Sequence, residues 1–259
     1  MKGETRRQQI MDHLMEVGTA SLEDFAEQFA VSRMTVHRDL DQLEREGLLR
    51  KVRGGATIQS NAQFESDFRY RKRLAVEEKR ALARAALDKI QPGQAVIIDD
   101  GSTTGGIAPL LVERRPLTVI TNNAAAIATL TEIGGIKLIA LGGEYNRRFH
   151  GFFGLGAEQA LRGLRADLAF LSTSAVQGAV AFHQDQEIVK TKRAIMEAAR
   201  RRYLLVDHTK FERTALNLLA DLTSFDAVVT GETPSVAARN ALSQAGVMLE
   251  VVGPSFKVA

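Results

Sequence analysis

Seven short apolar runs, spread over the later two thirds of the chain, restrict its fold more than any other feature. They occupy residues 95–98, 117–120, 137–141, 168–171, 203–206, 227–230 and 248–252. Each is four or five residues rich in Val, Ile, Leu or Ala, as in Ala95-Val96-Ile97-Ile98 and Tyr203-Leu204-Leu205-Val206. They lack the apolar–polar alternation of a sheet with one wet face. Continuous apolar strands suit a sheet buried on both sides, and amphipathic stretches at 124–131, 186–200 and 236–244 supply covering helices. The expectation is an α/β domain with a mainly parallel sheet over 76–259. A helix near 77–90 opens it and packs Ala81, Leu82, Ala85, Ala86 and Ile90 inward.

In an open parallel sheet, the loops at the carboxyl ends of the strands converge on one crevice. Here those loops are chemically particular. The first run closes into Asp99-Asp100-Gly101-Ser102-Thr103-Thr104-Gly105-Gly106, a Gly/Ser/Thr turn entering a helix. Such a turn offers hydroxyls, backbone N–H groups and a helix dipole to an anion. The second run ends in Thr121-Asn122-Asn123, the third in Gly142-Gly143, and the fifth in Asp207-His208-Thr209-Lys210. Lys210 adds charge, while Asn and Asp suit sugar hydroxyls. Each alone is ordinary turn chemistry; together they point to a phosphorylated small molecule.

The first 58 residues follow a helical pattern instead. Ile10, Leu14 and Val17 recur at i, i+4, i+7 before Gly18, a helix stop. Ser21 and Asp24 form a capping-box pattern ahead of the apolar stripe Leu22, Phe25, Ala26 and Phe29. Ser32 caps a third helix whose Val36, Leu40 and Leu43 point inward. At 100° per residue, Met34 and Arg38 then face away from the core, flanked by Arg33, Thr35 and His37. A helix presenting such residues near its N-terminus can enter a major groove, with Arg38 on guanine and Met34 or Thr35 on a thymine methyl. Residues 48–52 and 56–58 read as a hairpin around Arg53-Gly54-Gly55, the glycines supplying positive φ. Arg50, Lys51 and Arg53 would ride on this wing and meet phosphates. Helical periodicity by itself equally fits a three-helix protein-interaction module; the basic wing favours DNA.

Charge placement supports this more than total charge. The whole chain carries a formal +3, yet residues 1–58 hold nine Lys/Arg against ten Asp/Glu. The bases gather at the start of the third helix and in the hairpin, where they could displace counterions from phosphates. Residues 59–75 read as a polar linker whose basic run Arg69 to Arg73 is solvated.

Thr35-Val36-His37-Arg38-Asp39-Leu40, Leu43-Glu44, Gly47-Leu48 and Arg53-Gly54-Gly55-Ala56 resemble the N-terminal signature of DeoR-type bacterial repressors. His37 departs from the arginine usual there. The set Asp100 to Thr104, Thr121-Asn122, Gly142-Gly143, Glu187 with Lys190, and Asp207 to Lys210 is similar to the sensor domain of the same family. The resemblance implies a small winged helix-turn-helix domain (1–58), a linker (59–75) and a Rossmann-like, ribose-5-phosphate-isomerase-like domain (76–259). It implies that Ser102, Thr103 and Thr104 hold a phosphate, that Asp207 and Lys210 address the sugar, and that the partners are double-stranded operator DNA and a phosphorylated sugar or polyol. Residues 173–176 and 179–183 depart from the family pattern in a segment suited to shaping ligand choice. A homodimer or homotetramer is expected, because one small module gives limited specificity.

Several classes are disfavoured. The absence of cysteine excludes disulfides and thiolate zinc sites, and fits a cytoplasmic location. No apolar stretch nears the roughly 20 residues of a membrane span, and Met1 to Arg7 lacks a signal peptide's apolar core. His150, His183 and His208 have no metal-ligand spacing, so no metal or cofactor is expected. Arg147 and Arg148 read as an exposed basic pair. The rival reading is an isomerase-like enzyme carrying a DNA tether, with Asp185, Glu187 and Asp207 as acid–base groups. Repression and activation are not separable at this level.

Overall fold

The computed structural model describes residues 3–59, 61 and 67–253. The chain divides into two compact units, Met1–Arg73 and Leu74–Ala259.

In the first unit, α1 (Gly3–Val17) ends at Gly18, whose φ of +77° lets its N–H return to the Leu14 carbonyl at 2.7 Å. Ile10, Met11, Leu14 and Met15 are buried, whereas Val17 is 50% exposed. The inward face therefore runs through the two methionines and does not include Val17, which sits at the helix end. Strand β1 (Thr19–Ser21) leads into α2 (Leu22–Gln28), where Ser21 and Asp24 form the reciprocal capping box at 3.0 and 3.1 Å. The third helix, α3 (Arg33–Arg45), starts at Ser32, whose hydroxyl accepts the Thr35 N–H at 3.2 Å. Val36, Leu40 and Leu43 enter the core beside Phe25.

The wing is built from β2 (Arg50–Val52) and β3 (Gly55–Thr57), and β1 adds a third antiparallel strand to give the order β1-β3-β2. Of the hairpin's two glycines, Gly54 alone has positive φ, at +77°. Gly55 is required for a different reason: a Cβ there would lie 2.1 Å from the Ala20 carbonyl oxygen in β1.

Part of the expected linker, residues 60 and 62–66, lies outside the described residues. Its remainder holds α4 (Phe68–Arg73), started by Asp67, which accepts the Arg69 N–H at 2.8 Å. Tyr70 packs on the core of the first unit and Arg73 reaches the Met15 carbonyl, so the basic run is a helix docked on that unit.

The second unit begins with α5 (Val76–Asp88) and β4 (Ala95–Ile98). A 3-10 helix spans Thr104–Arg114; Pro109 inside it has no N–H for an α-helical bond. Next come β5 (Leu117–Thr121), α6 (Ala124–Leu130), β6 (Ile136–Ala140) and a hairpin of β7 (Glu144–Asn146) and β8 (Gly151–Phe153). Then follow α7 (Leu155–Arg162), β9 (Ala166–Leu171), β10 (Ala175–Gln177) and β11 (Val180–His183). The chain continues through α8 (Gln186–Glu197), β12 (Ala199–Val206), β13 (Asn217–Asp221), β14 (Ala227–Thr230), α9 (Val236–Gln244) and β15 (Leu249–Val251).

All seven apolar runs become strands of one seven-stranded sheet, ordered β15-β14-β12-β9-β4-β5-β6 and parallel throughout. Successive side chains alternate between two cores. Val96 and Ile98 pack beneath α5, the 3-10 helix and α6, while Ile97 faces the core shared with α7, α8 and α9. Fully burying each such Val, Leu or Ile contributes about 1.5–3 kcal/mol. From β4 the chain winds one way to β6, and from β9 the other way to β15. The order thus reverses between β4 and β9, the place where open α/β sheets bind ligands. Beside the main sheet lies a small antiparallel sheet, β10-β11-β13. Among the described residues, no helix is long and apolar enough to cross a membrane.

Candidate functional site

Two surfaces gather the residues expected to act. The first is the outer face of α3. Arg33, Met34, His37 and Arg38 are exposed and Thr35 is half-buried. Beneath them, buried Asp39 holds Arg6 at 2.5 Å and Arg7 at 3.5 Å, which fixes α1 against α3. Met34 is 63% exposed, an apolar side chain that the first unit itself does not cover.

The basic residues on this face differ in availability. Arg38 and Arg53 have no ion-pair partner among the described residues. Arg33 meets Glu23 at 3.0 Å in a solvated pair. His37 Nδ1 and Lys51 Nζ both converge on Asp41, at 3.0 and 2.5 Å. The hydrogen bond from Lys51, followed by that from His37, holds the Asp41 carboxyl below the ordinary carboxylate range. Arg50 is half-buried on β2, with its Nε buried and lacking a hydrogen-bond partner. Arg38, in the first half of α3, and Arg53, at the turn of the wing, thus carry charges that no ion pair engages among the described residues.

The second surface is the crevice at the β4/β9 reversal. Asp99 ends β4 with no solvent exposure and is its anchor. Its carboxylate accepts the Gly101 N–H at 3.0 Å, the Thr104 hydroxyl at 2.5 Å and the Ser172 N–H at 2.7 Å, and it pairs with Lys192. Lys192, also fully buried, lies 3.1 Å from Asp100. Burial works against the Lys192 charge, but the carboxylates of Asp100 and Asp99 outweigh it and hold its pKa above the ordinary lysine value. Gly101 is required by this packing, since a Cβ would lie 2.0 Å from Ser172 Oγ.

Around this anchor the expected loop residues divide by role. Thr104 bonds Asp99, and Thr121 donates to the Ile98 carbonyl at 2.7 Å, so both hydroxyls brace the backbone. Ser102 is half-exposed and receives a hydrogen bond from Lys79 Nζ of α5 at 3.3 Å; Thr103 beside it is 5% exposed. Asn122 donates to the Phe152 carbonyl at 3.1 Å, leaving its buried Oδ1 without a partner. An unmet buried acceptor costs about 1–3 kcal/mol, and a ligand hydroxyl could satisfy it. Gly142 is open to solvent. Gly143, at φ +121°, turns the chain into the β7–β8 hairpin, and a Cβ there would lie 2.3 Å from the Phe153 carbonyl oxygen.

At the end of β12, Asp207 is 2% exposed and accepts the Thr209 N–H and hydroxyl, shaping the turn that carries Lys210. The imidazole of His208 in this turn faces Glu78 of α5 at 2.6 Å, and the Glu78 hydrogen bond raises its pKa. With Glu232, these two offer ligand atoms within 4.8 Å of one another.

The structure separates Glu187 and Lys190 from the crevice. They pair with each other at 2.6 Å on the outer side of α8, and Lys190 lines a groove of about 430 Å³ with Glu158, Arg162 and Arg165. Lys192 is the α8 lysine that reaches the crevice, because two residues rotate a helix by about 200°. Arg148 is likewise engaged, meeting Asp185 at 3.3 Å and lying over the Phe149 ring. The residues missed in sequence are Ser172, Lys192 and Lys79, and Asp99 stood there only as part of the loop that it anchors. The two lysines left a signal: Lys192 lies between Ile188 and Ile195, and Lys79 precedes Leu82 and Ala83, so each interrupts an apolar helix stripe.

Comparison with known proteins matches both units. Residues 6–62 match the DeoR-like helix-turn-helix domain, and residues 74–232 match the DeoR C-terminal sensor domain. The chain is 31% identical over 252 residues to the glycerol-3-phosphate regulon repressor of Escherichia coli strain K12, covering 97% of this chain and 100% of that one. It is 32% identical over 224 residues to the L-fucose operon activator of Haemophilus influenzae, covering 86% and 90%. A D-ribose-5-phosphate isomerase in complex with phospho-erythronic acid aligns over 51% of this chain and 52% of that one, with 18% identity and a TM-score of 0.38.

Proposed function

The chain belongs to the DeoR family of transcriptional regulators, and from that premise we propose that it represses a sugar or polyol catabolic operon and releases DNA when a phosphorylated sugar fills the β4/β9 crevice. The observation that carries the effector half is the contact of Lys79 Nζ with Ser102 Oγ at the reversal point. It sets an ammonium beside hydroxyls on a Gly/Ser/Thr loop, the chemistry a phosphate monoester requires. Asn122 Oδ1, Asp207 and Lys210 then address the hydroxyls of the same ligand.

The DNA half rests on α3. Arg38 reads a base edge, Met34 and Thr35 contact a methyl, and Arg53 meets the backbone from the wing. Two copies of the chain would place two such helices on a pseudo-palindromic operator. Effector and DNA are linked reciprocally: each lowers affinity for the other by the same factor, ordinarily about 5–150-fold.

Catalysis is the weaker reading. Of the acid–base groups it needs, Asp185 accepts the Glu187 and Ile188 N–H groups and meets Arg148, Glu187 pairs with Lys190, and Asp207 accepts the Thr209 N–H, so each is engaged within the fold. Turnover of ribose 5-phosphate by the purified chain would support the enzyme instead.

A thermal-shift series with glycerol 3-phosphate, ribose 5-phosphate and their dephosphorylated forms tests the sensor. A ligand at 100 times its Kd stabilises by about 2.7 kcal/mol. A phosphorylated member should raise the melting temperature of the wild type, and Lys79→Gln should blunt that rise. Equal shifts with phosphorylated and dephosphorylated forms contradict the phosphate assignment.

A further inference from the structure

Helix α5 is the first element of the second unit, separated from Arg73 by Leu74 and Ala75, and its first turn holds two walls of the crevice. Glu78 is buried there, with 6% of its side chain exposed. Its Oε1 accepts backbone N–H groups from His208, Gly231 and Glu232 at 2.9, 3.1 and 3.2 Å, while Oε2 faces His208 Nδ1. Those amides belong to the loops leaving β12 and β14. Gly231 fits this grip closely, since a Cβ would stand 2.2 Å from Glu78 Cγ. The neighbouring Lys79 reaches Ser102 in the loop leaving β4.

One carboxylate oxygen shared by three backbone donors has a single well-defined position. A loop shift must therefore break several bonds together or carry the helix with it. The start of α5 is conformationally demanding as well: Ala75, its N-cap, has φ 49° and ψ 44° with no side-chain cap. A non-glycine residue stays left-handed only where its surroundings impose that conformation. Glu78 lies three residues on and fixes the turn that follows it.

We infer that Glu78 is the positioning residue through which the crevice controls the DNA-reading unit. A ligand that draws in the Asp207–Lys210 turn pulls on Glu78, and Glu78 alters how the chain passes from α4 through Leu74 and Ala75 into α5. This rests on the effector reading given above. Glu78 itself takes no part in holding the ligand or the DNA; it transmits between them.

The test uses the full chain with a duplex selected from a random pool by the wild type, and glycerol 3-phosphate and ribose 5-phosphate as probes. Hydrogen exchange at 100–104 reports binding in the crevice, and anisotropy of the duplex reports release. Glu78→Gln keeps an acceptor for the backbone amides but loses the carboxylate opposite His208. His208→Gln leaves the three amides in place but removes the imidazole that faces Glu78 Oε2. Each thus breaks the side-chain contact by which the Asp207–Lys210 turn draws on Glu78. Both variants are expected to bind the duplex within about twofold of wild type and to show probe protection at 100–104. Their release ratio should fall from at least about fivefold to below twofold. Full release by both variants overturns the inference alone. Loss of probe protection in both also overturns it, because Glu78 would then belong to the binding site. Failure of both probes to protect 100–104 in the wild type counts against the effector reading, and the inference falls with it.

Discussion

Ser172 and Asp99 meet where the strand order reverses: the Ser172 N–H donates to Asp99 Oδ2 at 2.7 Å and joins the ends of β9 and β4. The same carboxylate gathers Gly101, Thr104 and Lys192, so the loop leaving β4 is held by internal bonds of the protein. Preorganisation of this kind reduces the ordering cost of binding.

Lys192→Met should be severely destabilising. It leaves the carboxylates of Asp99 and Asp100 buried without their cation, a change that costs about 3–5 kcal/mol. Urea unfolding followed by a probe in the second unit should show the midpoint drop. An unchanged midpoint contradicts the role given to Lys192.

Arg38 and Arg53 should behave differently as alanine variants. Losing a base contact at Arg38 weakens the selected duplex by about 1–3 kcal/mol and relaxes specificity at one position. Losing a phosphate contact at Arg53 weakens all duplexes alike and lowers the salt slope by about one. Binding isotherms across salt concentrations separate the two, and identical behaviour removes the distinction.

Asp41 restrains two bases, His37 on α3 and Lys51 on β2. Asp41→Asn frees the Lys51 ammonium for phosphate and removes a repelling carboxylate. Affinity for nonspecific duplex should rise, with a steeper salt dependence. A fall in affinity means that Asp41 orients Lys51 toward DNA.

The fold was largely legible in the chain because burial on both faces writes strands as continuous apolar runs; all seven became the parallel sheet. Strand β1 was not legible, since Thr19–Ser21 reads as a turn and cap and becomes a strand only by pairing with β3, over thirty residues away. The site was read in part. Ser102, Thr103 and Asn122 stand out as loop chemistry at strand ends, but helix-borne Lys79 and Lys192 belong to the crevice only through tertiary packing. Periodicity does show each of them inside an apolar stripe, and a charge in such a stripe needs a buried partner.

His208 makes part of the stability pH-dependent. Its pKa is raised above the ordinary 6.5, first by the hydrogen bond to Glu78 and further by Glu78, Glu232 and Asp207 as charges. The folded state therefore binds the proton more tightly than the unfolded chain. This contribution is fully present below 6.5 and is lost as pH rises through the raised folded-state value. Melting temperatures from pH 6 to 9 should fall more for the wild type than for His208→Gln. Parallel curves mean that the pair adds nothing through its charge.

Crevice occupancy is proposed to govern DNA affinity. The most direct measurement of this is the anisotropy of a wild-type-selected duplex, titrated with the full chain at fixed salt, with and without a saturating sugar phosphate that protects 100–104. The expected Kd is at least about fivefold weaker with the ligand present. An unchanged Kd at full occupancy of the crevice contradicts it.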